Sequence, residues 1–168
     1  MSDLWGKQNS DWVTDYIELL QNKFDVHFYD CCELGEIDTR RQTQELIHQL
    51  FLMGGIERAI KNLLEKEKEE VSVIGFSLGG LIAWKAALLG LKAKYICAVS
   101  STRLRYETEK PQGEIELFFA ENDPNKPGED WFRLLRLEKY IIEKENHEFY
   151  KKKNRVEKIC QKLIAGKN

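Results

Sequence analysis

Proline is scarce, three residues in 168, and no stretch rich in Pro, Gly or Ser interrupts the chain, so a linker between two domains is not expected. No internal repeat is present, which excludes solenoids and propellers. Neither sign of charge dominates. With 26 Lys and Arg against 28 Asp and Glu, the formal net charge is −2, and neither nucleic acid nor an anionic membrane is an expected partner. Apolar runs stop far short of the roughly 20 residues that span a bilayer. Residues 1–9 lack the basic start and apolar stretch of a secretory signal, so a cytoplasmic location is expected. The four cysteines, Cys31, Cys32, Cys97 and Cys160, show no metal-ligand spacing. Nothing basic flanks the adjacent pair to favour a thiolate, and Glu33 opposes one, so reduced, buried thiols are expected.

What is present suits one globular domain over residues 1–168: 42% of residues are hydrophobic and 32% charged. Apolar residues at helical spacing predict a helix over residues 10–23, with Ser10 or Asp11 as its cap. A short strand is expected over residues 25–30. A long helical stretch follows and is broken by Gly54 and Gly55, which predicts two helices rather than one, residues 39–53 and 56–66. The second buries Ile56, Ala59, Ile60, Leu63 and Leu64 and runs into solvated charges at residues 65–70. Residues 71–76 are β-branched-rich, as in strands buried on both faces, and a helix over 78–91 follows almost without a gap. Further strands are expected at 95–100, 115–120 and 140–143, and a closing helix at 149–165. The alternation of strand and helix predicts an α/β fold, a mostly parallel sheet of about six strands with helices on both faces.

The most informative segment joins the strand at 71–76 to the helix that follows: Gly75-Phe76-Ser77-Leu78-Gly79-Gly80. It matches a nucleophile elbow. A serine on so sharp a turn has a strained backbone, and side chains at Gly75 or Gly79 would collide with neighbouring backbone. The helix starting after Ser77 points its free N–H groups at any oxyanion that forms there.

Here the sequence resembles the α/β-hydrolase family, whose five-residue pattern with flanking strand and helix is intact. The family places its remaining members in the order serine, acid, histidine. His27 and His48 precede Ser77, so the resemblance assigns His147, between the last short strand and the closing helix, as general base. Phe118-Phe119-Ala120-Glu121-Asn122-Asp123-Pro124 is similar to the family's Gly-x-x-Asp-Pro turn, with Ala120 in place of the glycine. It makes Asp123 the carboxylate that orients His147, with Glu121 in reserve. A plain turn serine, a turn-capping aspartate and an exposed loop histidine are the structural alternatives for the three.

By the same resemblance the oxyanion hole uses the backbone amides of Leu78 and Trp5. Asp3-Leu4-Trp5-Gly6 looks like the His-Gly-x-Gly stretch of carboxylesterases, with Asp3 and Leu4 departing from it. Trp5 and Trp12 are equally readable as core anchors. Only residues 1–4 remain to form the strand before this loop. Either the reading frame starts upstream, or a shallow groove is left between the neighbouring strands. Residues 101–114 are too few for a cap domain, so an open mouth is expected at Ser77. The helix over 39–53, hinged at Gly54-Gly55, is either a lid or an ordinary layer helix. Lys151, Lys152 and Lys153 either attract an anionic substrate or form a solvated face.

The resemblance thus implies a small, capless serine hydrolase acting on a carboxylic ester or thioester, needing no cofactor and no metal, as monomer or homodimer. The alternatives are acyl transfer by the same residues and a non-catalytic relative that serves as a binding module.

Overall fold

The computed structural model describes residues 1–165. Four parallel strands form one sheet in the order β1-β2-β3-β4: β1 (Val71–Phe76), β2 (Ala93–Val99), β3 (Glu114–Ala120) and β4 (Tyr140–Ile142). Val73 pairs with Ile96, Ile96 with Ile115, and Phe118 with Tyr140. Alternate residues of a strand face opposite sides, so β1, β2 and β3 each feed two cores. Leu117 and Phe119 point to one, Phe118 and Ala120 to the other.

The first core lies beneath α2 (Cys31–Leu34), α3 (Gln44–Leu50), α4 (Ile56–Lys66), α5 (Leu78–Leu88) and α6 (Glu129–Leu135). Helix α4 is amphipathic as expected, burying Ile56, Ala59, Ile60 and Leu63. Helix α5 is buried nearly all round, from Leu78 through Trp84 to Ala86. The second core is covered by α1 (Trp12–Leu20) and α7 (Lys153–Ala165), which pack against each other. Its centre is aromatic. Trp12, Tyr16, Phe76 and Tyr150 form a cluster with Trp12–Phe76 and Tyr16–Phe76 ring centroids 4.7 Å apart. Trp12 is therefore a core anchor.

Several local expectations change. The break at residues 53–55 is real: Met53 and Gly54 leave helical geometry, with Gly54 at φ 108°. The segment before it is packed down, because Ile47 and Phe51 are buried in the first core. Neither Ser10 nor Asp11 caps α1 by its side chain; Ser10 Oγ donates to Lys7 O instead. Helix α6 was not expected, since its seven residues are too few to display a period. The four cysteines are buried free thiols, and burial pushes Cys31 and Cys160 up to about 12.

Among the described residues the sheet has four strands rather than about six. Met1 pairs with β1 as one parallel bridge: its amino group donates to Ile74 O at 2.7 Å, and Phe76 N–H donates to Met1 O at 3.3 Å. On the other side, Ser2 N–H donates to Tyr29 O at 2.9 Å. Met1 and Ser2 thus lie between β1 and Tyr29 without forming a ladder. Residues 25–30, expected as a strand, form none. A groove of about 720 Å³ is left between β1 and that segment, lined by Val13, Leu20, Phe24, Val26, Val73 and Ile74 among others. Among the described residues no helix is long and apolar enough to cross a membrane.

Trp84 measures the first core. It is fully buried, and its indole N–H donates to Glu109 O at 3.0 Å. Trp84→Ala is expected to lower unfolding stability by about 3–5 kcal/mol, read from the denaturation midpoint at unchanged slope.

Candidate active site

All four strands are parallel, so their carboxyl ends share one edge, and the candidate residues lie there. Ser77 follows β1 at φ 49° and ψ −109°. A non-glycine residue rarely adopts this region, which costs about 1–3 kcal/mol. It is tolerated because the surroundings fix it. Ser77 N–H donates to Val99 O at 2.7 Å, and α5 begins at the next residue. The glycines admit the close approach this demands. A Cβ on Gly75 would sit 2.4 Å from Gly80 N, and one on Gly79 would sit 2.3 Å from Ser2 O. Leu78, the first residue of α5, has no acceptor within its helix for its amide.

Asp123 lies in the turn after β3, and its side chain is 2% exposed. Its Oδ1 accepts from Asn125 N–H at 2.9 Å, which fixes the carboxylate. Its Oδ2 lies 2.6 Å from His147 Nδ1, and His147 Nε2 lies 3.0 Å from Ser77 Oγ. Because Oδ2 accepts, Nδ1 carries the proton and Nε2 is left to take the hydroxyl hydrogen. Residues 77, 123 and 147 thus form one hydrogen-bonded row. Glu121 is not part of it: its carboxylate accepts from Lys144 N–H at 2.8 Å, at the surface.

No protein-family model matches the sequence, and no curated protein matches it. Solved structures do. An alpha/beta-superfamily structure from Xanthomonas campestris pv. campestris superposes with TM-score 0.66 at 17% identity, over 98% of this chain and 95% of that one. An α/β serine hydrolase without a lid, from Xanthomonas campestris, gives TM-score 0.52 at 15% identity over 94% and 73%. A CIB-like hydrolase structure from Thermoplasma acidophilum gives 0.53 at 17% identity over 67% of this chain, which spans 61% of that protein. The fold is the α/β-hydrolase fold.

Within this α/β-hydrolase fold, the loop carrying His147 is braced by residues that no sequence motif marked. Ser100, at φ 52° after β2, donates its hydroxyl to His147 O at 2.6 Å. Glu145 is buried, with its carboxylate engaged by Lys152 and by Arg155 Nε. Its backbone O accepts from Asn122 N–H at 3.0 Å, tying the His147 loop to the Asp123 turn. The bond to Lys152, helped by Arg155, holds the Glu145 carboxyl below its usual 4.5. The Ser100–His147 and Asn122–Glu145 bonds join residues more than 20 apart, so local sequence carries no signal for them.

Two further expectations are corrected. The Trp5 amide is not open to an oxyanion, because it donates to Asp3 Oδ1 at 3.0 Å. The aspartate that stands in place of the family's usual residue is itself the acceptor. The lysine run is not a free basic patch either: Lys151 lies against Glu148 and 3.3 Å from Asp3, and Lys152 pairs with Glu145. Among the described residues no group of His, Cys, Asp or Glu is arranged to hold a metal ion.

Gly79→Ala should displace residues 1–3 from the elbow. The expected outcome is folded protein by circular dichroism with at least tenfold slower reaction of Ser77 with a fluorophosphonate. Glu145 makes a pH prediction. Its pKa is lower in the folded chain, so its contribution is complete above about 4.5 and is lost as pH falls through the folded value. The melting-temperature gap between wild type and Glu145→Gln should therefore be widest near neutral pH and narrow below pH ~4.

Proposed function

We propose that the protein is a serine hydrolase that cleaves a carboxylic ester or thioester through an acyl-enzyme. The observation that carries this reading is the row Asp123–His147–Ser77, with contacts of 2.6 and 3.0 Å, set at a nucleophile elbow. In the proposed reaction Ser77 Oγ attacks the acyl carbonyl while His147 Nε2 takes its proton. Asp123 holds the ring and stabilises the imidazolium that forms. The Leu78 amide, at the positive end of α5, receives the developing oxyanion. The tetrahedral intermediate collapses, His147 delivers the proton to the leaving alkoxide or thiolate, and the acyl group stays on Ser77. Water then attacks the acyl-enzyme with His147 again as base, releasing the acid and regenerating Ser77.

The connection between β2 and β3 supports a small or exposed acyl group. Residues 100–113 hold one 3-10 turn, Thr102–Tyr106, so no cap stands over Ser77. The chemistry needs only groups that the chain itself supplies, and the partner proposed is a small-molecule ester or thioester.

Labelling by a fluorophosphonate probe, followed by hydrolysis of p-nitrophenyl acetate and an acyl thioester, tests the proposal. Wild type should label and turn over, and Ser77→Ala should do neither. His147→Ala and Asp123→Asn should lower kcat by about 10³–10⁴-fold. Well-folded wild type that neither labels nor turns over would overturn the reading in favour of a binding module.

A further inference from the structure

Asp3 is 2% exposed and stands outside the Ser77–His147–Asp123 row, yet both its carboxylate oxygens are engaged. Oδ1 accepts from Trp5 N–H at 3.0 Å. Oδ2 accepts from Tyr150 O–H at 3.1 Å and lies 3.3 Å from Lys151 Nζ. Burial disfavours the Lys151 ammonium, but its contacts with Glu148 and Asp3 outweigh that and hold its pKa up. Asp3 O accepts from Gly6 N–H at 3.4 Å, so residues 3–6 wind around Asp3 itself.

The backbone accounting of this loop shows what the winding leaves open. Ser2 N–H goes to Tyr29 O, Trp5 N–H to Asp3 Oδ1, Gly6 N–H to Asp3 O and Lys7 N–H to Asp30 Oδ2. Among the described residues, nothing accepts from the amides of Asp3 and Leu4. Met1 is paired with β1 through its own nitrogen, whereas the Ser2 amide turns the opposite way. The alternation of an extended segment then turns the Asp3 amide back toward the elbow. Ser2 O lies against Gly79, which brings this loop to the first turn of α5, where the Leu78 amide is also free.

We propose that the Asp3 carboxylate is a positioning residue: it holds residues 3–5 so that the Asp3 and Leu4 amides stay open, beside the Leu78 amide, to the oxyanion formed at Ser77. This rests on the serine-hydrolase reading. Asp3 also refers the loop to the rest of the site. Tyr150 follows His147 by three residues, its ring lies 5.3 Å from that of Phe76, and Phe76 precedes Ser77. The loop and the His147 segment thus share one buried carboxylate, and Tyr150 packs against the residue that precedes Ser77. A neutral, shorter side chain would release the Trp5 amide, which could then rotate and close off the open pair.

The test compares Asp3→Ala, Asp3→Asn, Tyr150→Phe and Ser77→Ala on p-nitrophenyl acetate, with amide hydrogen exchange at Trp5. Asp3→Ala should lower kcat about 10–100-fold, less than the loss of a whole oxyanion donor, with KM within about threefold and Trp5 exchange accelerated. Asp3→Asn keeps an acceptor for Trp5 and should recover most of kcat. Tyr150→Phe should fall between them, and these two variants carry the test if Asp3→Ala does not fold. A folded Asp3→Ala or Tyr150→Phe with wild-type kcat would overturn the positioning role and leave the hydrolase reading standing. Turnover that survives Ser77→Ala would overturn that reading, and the positioning role with it.

Discussion

The close approach of four backbone segments around Ser77 is the constraint on which the rest of the site depends. The end of β1, the first turn of α5, the N-terminal loop and the start of the segment after β2 meet where Gly75, Gly79 and Gly80 leave no side chain. A Cβ on Gly80 would lie 1.9 Å from Ser101 Oγ, a side-chain contact, whereas those at Gly75 and Gly79 are with backbone. The strained Ser77 backbone survives because each neighbour is fixed by burial: α5 in one core, Phe76 in the aromatic cluster of the other. Strain and packing are two sides of one arrangement.

Parallel strands then decide where everything else goes. Each loop at the carboxyl edge carries one component: the elbow after β1, Ser100 after β2, Asp123 after β3, His147 after β4. Precision comes from bonds between loops more than within them. Asn125 fixes the Asp123 carboxylate, Ser100 holds the His147 carbonyl, and Glu145 O takes the Asn122 amide. A histidine on a loop is thereby held in fixed geometry between Asp123 and Ser77.

The N-terminal loop works by a different principle, since it has no ladder to hold it. Two buried aspartates take the place of a strand partner. Asp3 gathers Trp5, Tyr150 and Lys151, while Asp30 caps α2 through the amides of Cys32 and Glu33 and receives Lys7 N–H. Gly6, at φ 59°, lets the loop pass over Asp30, where a Cβ would lie 2.4 Å from its Oδ1. Behind this loop the edge of β1 borders the apolar groove.

Much of this was legible along the chain. Val71–Phe76 and Ile56–Lys66 lie where apolar runs and periodicity place them, because burial on two faces or on one stripe writes itself into local sequence. Ser77 was legible because a strained turn demands glycines at fixed offsets, and Asp123 and His147 because their order along the chain follows the resemblance. Tertiary structure alone decided that residues 25–30 and 1–4 form no strand, since pairing depends on a neighbour that local pattern cannot supply. It also decided the roles of Asp3, Ser100 and Glu145, and the engagement of Trp5, Lys151 and Lys152. A residue's type and spacing state which chemistry it is capable of; which donor meets which acceptor, and so which amide or charge remains free, is fixed only when distant segments are brought into contact.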